Sequence, residues 1–409
     1  MEDSVKEKTK IAYVIPRFYP FKGGAEENMH ALATRTFIQG YDVTVVTTNV
    51  KFRNEDLKKE EIIDGVRVIR QNAWIKNLYA GFYPSLLPFL LKNHFDIIHT
   101  SGVGFFWREF CLIIKKITSP KTKFITTPHG PFMSLGDKGG FRGIVRVIGT
   151  FFLKLYLNWL YDFFIEVNPK QKHWMQDLYR IPEEKIVLVP NGINLNYVEE
   201  KIVEHSQEEK VVITYMNRME WYKGIQDVIK AIHKLLERSN NINTNFSFYI
   251  MGKAGGYTEK LKEMVGKYKL EDHIKFIFHP SDEERDRIFY EESQINILPS
   301  KWEATGITLI EAMAKGNVII TTSANEAADI LIPENKNGFI YEYGDFDTLK
   351  GILRKLLNDY DGRQRMRKRS LELAKNFTWE SVFPKYIELI KKLEESANTS
   401  NKIEEKTIS

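Results

Sequence analysis

The sequence has one cysteine, Cys111, in 409 residues. A single thiol excludes an intrachain disulfide, so the chain must hold itself together by packing, as suits a reducing compartment. Charge of one sign is scarce as well: 59 Lys and Arg face 54 Asp and Glu, a formal net of +5. That balance does not call for nucleic acid as a partner. No run of 18 or more residues is free of charge, so no membrane-spanning helix is expected; the longest candidate, 143 to 161, is interrupted by Arg146 and Lys154. The charged stretch Met1 to Lys10 leads straight into Ile11-Ala12-Tyr13-Val14-Ile15. It reads as a strand rather than the apolar region of an export signal, and a cytoplasmic location, with the cytoplasmic face of the membrane as its alternative, is expected. A G-x-G-x-x-G fingerprint is missing, which disfavours NAD. The strand ends are read as lacking an Asp-x-Asp triplet or other metal cluster, so metal dependence is expected to be absent or weak and no other cofactor is expected.

What is present is an alternation of strand-like and helical runs. Strand-like segments fall at 11–15, 43–47, 66–69, 96–99, 123–127, 163–167 and 186–189. A polar stretch, Asn194 to Lys210, interrupts them, and a second series follows at 211–215, 246–251, 274–278, 295–298 and 318–321. The pattern predicts an α/β protein with a doubly wound parallel sheet in each of two domains, placed at 1–199 and 200–378. Val382, Phe383, Tyr386, Leu389, Ile390 and Leu393 recur at helical spacing and predict a final helix over 379–395. The polar tail 396–409 is predicted disordered.

Ligands of such sheets collect beyond the carboxyl ends of the strands. Glu303 and Glu311 stand there, with seven residues between them, in Trp302-Glu303-Ala304-Thr305-Gly306-Ile307-Thr308-Leu309-Ile310-Glu311. The strand 295–299 and a helix from 307 place the amides of Gly306, Ile307 and Thr308 at a helix N-terminus, where phosphate binds. One carboxylate precedes that phosphate and the other follows it by about a turn, an arrangement that suits the hydroxyls on both sides of a nucleoside diphosphate-sugar. A plain solvated glutamate face is the competing reading, but Leu309, Ile310, Ala312 and Met313 surround Glu311. Arg218 and Lys223 follow the first strand of the second series. Fixed cations there would stabilise the charge that grows on a leaving diphosphate. Gly23 and Gly24, between the first strand and a helical run over 25–39, let backbone approach a ligand, with an anion favoured at the helix N-terminus. His129 ends the strand 123–127 and would line a cleft.

Taken together, Gly23-Gly24-Ala25-Glu26, Asp96-Ile97-Ile98-His99, Thr127-Pro128-His129-Gly130, Val189-Pro190-Asn191-Gly192-Ile193, Arg218 with Lys223-Gly224, the glutamate loop and Asn337-Gly338-Phe339 resemble the retaining glycosyltransferases of family 4 over nearly the whole chain. The resemblance implies a GT-B fold, two Rossmann-like domains facing across a deep cleft, with the final helix crossing back to the first. It implies transfer of a hexose-type sugar, with retention, from a UDP- or GDP-sugar to a hydroxyl of a glycan or lipid-linked saccharide. His129, Arg218, Lys223 and Glu303 become the catalytic candidates; Gly23, Gly24, Gly306, Ile307, Thr308 and Glu311 become the donor-binding ones. The resemblance sets His129 against the donor sugar and lets the Gly23–Gly24 loop close over donor phosphate or acceptor. His99 takes a structural role. A nucleotide-sugar epimerase of the same fold and a catalytically silent carbohydrate- or lipid-binding protein are the alternatives.

The pattern is not followed everywhere. Asn194 replaces a common aspartate, Asn317 a proline, Asn325-Glu326 a pair of glycines and His279 a glycine, while Thr305 takes a place often aromatic or serine. Donor-sugar choice is the property these departures touch. Ile144, Val147, Ile148, Phe151, Phe152, Leu155 and Trp159 form a broad apolar helix face beside a polar stripe of Arg146, Thr150, Lys154 and Asn158. Two readings compete: a helix buried between the sheet and a neighbour, or an interfacial helix on anionic lipid, helped by Phe141, Arg142, Tyr156 and the loop Tyr79-Ala80-Gly81-Phe82-Tyr83.

Overall fold

The computed structural model describes residues 8–21, 23–51, 55–75, 81–132, 140–237 and 242–408, of which 140–142, 197 and 397–408 are described by backbone alone. The chain divides into two compact units, Met1–Pro190 with Phe383–Ser409, and Asn191–Val382.

The first unit is built on eight strands: β1 (Lys10–Val14), β2 (Asp42–Thr48), β3 (Glu60–Ile63), β4 (Val66–Gln71), β5 (Ile97–Ser101), β6 (Lys123–Thr127), β7 (Phe163–Glu166) and β8 (Ile186–Leu188). They lie in the order β3-β4-β2-β1-β5-β6-β7-β8. All neighbours are parallel except β3 and β4. That hairpin was not foreseen, although Asp64-Gly65 is a two-residue turn signal and both residues take positive φ, 47° and 83°. Its strand Glu-Glu-Ile-Ile is too short and polar to stand out by hydrophobic pattern. The second unit carries β9 (Val211–Met216), β10 (Phe246–Gly252), β11 (Ile274–Phe278), β12 (Ser293–Leu298), β13 (Val318–Thr322) and β14 (Gly338–Tyr341), all parallel, in the order β11-β10-β9-β12-β13-β14. The sheet reverses direction of growth at β9 and β12. β14, missed as a strand, explains the Asn337-Gly338-Phe339 motif: a Cβ on Gly338 would lie 1.9 Å from the carbonyl oxygen of Ile319 on β13. Asn337 is fully buried and donates to Leu331 O at 2.9 Å.

Five helices matter below: α1 (Gly24–Ile38), α2 (Phe106–Thr118), α3 (Gly140–Leu160), α4 (Ile307–Ala314) and α5 (Trp379–Ile408). α5 runs on to Ile408, beyond the end expected near 395, through residues whose polar composition predicts disorder. From Phe383 onward it counts with the first unit. The reason is a buried hydroxyl chain: Tyr386 Oη lies 2.9 Å from Tyr13 Oη on β1 and 2.9 Å from His99 Nδ1 on β5. Tyr13 reaches Thr36 of α1 at 2.7 Å, and His99 Nε2 reaches Thr127 on β6 at 2.8 Å.

The boundary between the units falls at 190/191 rather than 199/200. Ile193 N donates to Phe377 O and Trp379 N to Ile193 O, both at 2.8 Å, and Glu199 N donates to Ala314 O at 2.9 Å. These bonds stitch 191–199 to the second unit, and the polar stretch that follows is surface chain within it.

His99 is fully buried, and burial, reinforced by His129, lowers its pKa to about 3. Unfolded, the imidazole titrates near 6.5, so as pH falls below that value the unfolded chain takes up a proton the native state refuses. Stability is retained above about 6.5 and lost towards the folded pKa, by about 2 kcal/mol at pH 5 for one such histidine. Urea midpoints at pH 7 and pH 5 should show a smaller acid loss for His99→Gln than for the parent, even though the variant is weaker at pH 7.

Candidate active site

In the second unit, Lys223 follows β9 by seven positions and closes a short turn, Trp221–Lys223. Gly224 comes next with φ +75°, and a Cβ there would sit 1.8 Å from Pro299 O. Only glycine allows this turn to press against the loop that follows β12. Lys301 N donates to Tyr222 O at 2.7 Å, holding the two loops together. As a result Lys223 Nζ, on a residue 5% exposed, donates to Glu303 Oε2 at 2.6 Å. The sequence reading gave these side chains separate tasks; the structure makes them one ion pair across 80 positions of chain.

Arg218 behaves differently. It is exposed, with its guanidinium donating to Tyr222 Oη at 3.1 Å. Tyr222 also lies under Lys223, whose Nζ is 5.6 Å from the ring centroid. Tyr222 thus links both cations, and no sequence signal set it apart from other surface tyrosines.

Gly306 caps α4 with φ +74°, and no side chain caps the helix. The helix N-terminus falls at the expected residues, with Ile307 and Thr308 part-exposed and Gly306 buried, and its first-turn amides carry no side-chain cap. Glu311 lies half-buried one turn inside the helix. The departures from the family pattern stiffen this loop. Asn191 Nδ2 donates to Thr305 Oγ1 at 3.0 Å. Asn325 is fully buried, donates to Thr305 O and Thr321 Oγ1, both at 3.3 Å, and accepts from Ala327 N at 3.0 Å. Glu326 N donates to Glu303 O at 2.9 Å, and Trp302 Nε1 to Glu326 Oε1 at 3.2 Å. Asn317 donates to Ala312 O at 3.2 Å in the turn after α4. His279 takes φ 50°, the left-handed conformation for which glycine is the usual choice.

An Asp-x-Asp triplet does occur past a strand end: Asp345-Phe346-Asp347 after β14. Asp345 accepts from Thr348 N at 2.9 Å as a helix cap, and Asp347 pairs with Lys234 and Lys350 at 3.1 and 3.0 Å. The sequence reading overlooked it; both carboxylates are in structural use.

The first unit holds a separate pocket of about 190 Å³ at the carboxyl ends of β1, β5 and β6, lined by Ile15, Arg17, Glu26, Phe105, His129 and Phe132 among others. His129 has φ 60°, a left-handed conformation uncommon for a residue with a Cβ and frequent at functional sites. Burial lowers its pKa to about 4, so the ring is neutral near pH 7. Its Nε2 is buried with no partner among the described residues. Beneath it, buried Arg108 donates to Ser101 O and Gly102 O, both at 2.6 Å, while Glu109 accepts from Gly104 N at 2.7 Å. Gly23 and Gly24 open α1 at the rim. Any side chain on Gly23 would meet the Glu26 carboxylate, 2.5 Å from its Cβ position. The first turn of α1, expected to favour an anion, already carries Glu26 and Glu27. Arg17 and Glu26, neither singled out as a candidate, are the charged residues this pocket adds.

With that geometry in view, comparison with known proteins is decisive. Residues 22–197 match the family described as Glycosyltransferase Family 4, and 198–372 match Glycosyl transferases group 1. The chain belongs to this glycosyltransferase family. It is a sugar-transferring enzyme with the GT-B fold. An uncharacterised glycosyltransferase of Methanocaldococcus jannaschii is 22% identical, with 93% of this chain and 98% of that one covered. The GDP-mannose:cellobiosyl-diphosphopolyprenol alpha-mannosyltransferase of Komagataeibacter xylinus is 22% identical over 94% of this chain and 93% of its own. Among solved structures, sucrose-phosphate synthase from Thermosynechococcus elongatus matches 95% of this chain and 100% of its own with a TM-score of 0.75 at 18% identity. Anabaena HepE, in complex with UDP and glucose, matches 94% and 100% with a TM-score of 0.70 at 14% identity. At such identities the structural likeness speaks for the fold alone.

The Lys223–Glu303 pair sets an expectation of its own. Lys223→Ala and Glu303→Ala should each cost about 1–3 kcal/mol of stability, because each strands a largely desolvated partner. The double variant should lose less than the sum of the two, which urea denaturation of all four proteins would measure as a coupling energy.

Proposed function

We propose that this glycosyltransferase moves a hexose-type sugar, with retention, from a UDP- or GDP-sugar to a hydroxyl of a glycan or lipid-linked saccharide, at the cytoplasmic face of a membrane. The observation that carries the donor half is the Lys223–Glu303 pair in a loop rigidly joined to the uncapped N-terminus of α4. An ammonium has three protons to give, so Lys223 can keep Glu303 and still donate to a diphosphate oxygen. Arg218 adds a planar fork, and the amides of Gly306, Ile307 and Thr308 add fixed dipoles. Charge moving onto the diphosphate as the glycosidic bond breaks meets these groups already oriented. Glu303 is then left to accept hydrogen bonds from sugar hydroxyls and Glu311 from the ribose.

With these cations neutralising phosphate, the reading requires no metal. Retention follows in this scheme from attack on the face the diphosphate leaves, with a phosphate oxygen taking the acceptor's proton, and no carboxylate acts as nucleophile. The first-unit pocket is assigned to the acceptor end of the reaction. Its neutral His129 can donate to or accept from a hydroxyl, and Arg17 and Glu26 in the same lining offer a donor and an acceptor beside it. The name of one relative supports both ends: that of the K. xylinus enzyme gives GDP-mannose as donor and a polyprenol-linked saccharide as acceptor.

A panel of UDP-, GDP- and ADP-sugars should raise the melting temperature with one nucleotide class, because only the folded state binds. Nucleoside diphosphate should then appear only when an acceptor is added. Arg218→Ala, an exposed change, should keep its melting temperature yet lose about a hundredfold in turnover. Turnover within a factor of about three of the parent would remove Arg218 from the phosphate site. Release of nucleoside diphosphate without acceptor would instead favour an epimerase.

A further inference from the structure

Helix α3 is seated by Leu153, Leu157 and Leu160, each fully buried, while seven large apolar side chains on its other side stay in water. Ile144, Val147, Ile148, Phe151, Phe152, Leu155 and Trp159 expose between 50% and 67% of their surface. At about 100° per residue they fall within an arc of about 140°, one continuous stripe. The reading that buried this face between the sheet and a neighbour is overturned. Helix α2 adds Phe106, Phe110 and Ile117, exposed by 44%, 48% and 62% and also on one side of their helix. The two helices adjoin: Lys116 Nζ donates to Leu160 O at 2.8 Å and lies 5.8 Å from the Trp159 ring, and Phe106 packs edge-on against Phe132, which also touches Gly149 of α3. Tyr79 and Ala80, and the side chains of Phe141 and Arg142, lie outside the described residues.

Charge selects the occupant. Between 140 and 160 the sequence holds Arg142, Arg146 and Lys154 and no Asp or Glu. On the same wheel Arg146 falls on the side of Leu153 and Leu157 while Lys154 borders the exposed stripe, so a second copy packed on this face would set Lys154 against its own counterpart, whereas lipid phosphates would meet it with the opposite charge. The 18-residue window Gly143–Leu160 is long and apolar enough to cross a membrane. Its inner face, however, packs in the core of the first unit with Phe132, Tyr161 and Met175, so the helix lies along a surface instead of spanning it.

We infer that the exposed faces of α2 and α3 dock this protein on an anionic phospholipid surface and that the acceptor reaches the first-unit pocket from that side. The structure supplies the link. Phe132 lines the pocket and touches α3, and Tyr156 of α3 donates to Glu109, whose other oxygen holds the Gly104 amide beneath the pocket. Delivery of the acceptor rests on the glycosyl-transfer reading; the docking does not.

The experiment is flotation of the full chain, without donor, on vesicles of phosphatidylcholine alone and of phosphatidylcholine with phosphatidylglycerol. The parent should float with the anionic vesicles and only weakly with the neutral ones. Val147→Glu/Phe151→Glu, which alters only exposed positions, should cut that binding by about tenfold or more. Lys154→Ser should weaken it less, and the donor-induced melting shift should persist in both variants. Equal binding to both vesicle types would overturn the anionic assignment. Absence of flotation would overturn the docking, as would a dimer that Val147→Glu/Phe151→Glu dissociates. If the parent floats but no donor stabilises it, the transfer reading fails and the docking stands.

Discussion

Strands covered on both faces can offer chemistry only at their ends, and this constraint organises the protein. In both sheets the central strands are buried along nearly their whole length, so their side chains serve packing. Parallel order puts the carboxyl ends of neighbouring strands on one edge, and there the chain turns sharply into helices. The glutamate loop follows β12, the two cations follow β9, and His129 follows β6. Positive φ occurs at these strand ends as well, at His129, Gly224 and Gly306. Each is placed by sterics that a different residue or a looser loop would not reproduce.

Within the second unit, close approach of backbone turns two unremarkable charges into a site. Gly224 lets the cation turn touch Pro299, and the contact brings Lys223 under Glu303. The pair is largely buried, which fixes both side chains in place, while Arg218 stays exposed beside it. In the first unit the same economy appears in reverse. The Arg108 and Glu109 side chains hold backbone carbonyls and an amide, shaping the floor of a pocket whose lining carries a neutral histidine, Arg17 and Glu26.

Much of this was legible in the residues themselves. Apolar runs located twelve of the fourteen strands among the described residues because buried parallel strands are apolar on both faces; β3 and β14, each four residues long and the first half polar, escaped. The glycines at 224 and 338 and the asparagines at 191 and 337 were visible as motif members, but their reasons, a carbonyl too near for a Cβ or a buried amide to satisfy, were not. The boundary at 190/191 was hidden because it depends on hydrogen bonds from Ile193 to residues 377 and 379, nearly two hundred positions away.

The sequence by itself determined the two-sheet architecture, the family, and which charged residues stand at strand ends, because periodicity and local turn chemistry are short-range properties. Tertiary structure alone decided that Lys223 and Glu303 form one pair, that Tyr386 fastens the last helix to β1 and β5, that Glu26 shares a pocket with His129, and that the apolar face of α3 looks outward. A helical stripe of Ile, Val, Phe, Leu and Trp is written identically whether a core or a lipid surface is to cover it. Which of its two apolar sides the sheet receives depends on the packing of distant elements, and here Leu153, Leu157 and Leu160 took the inside.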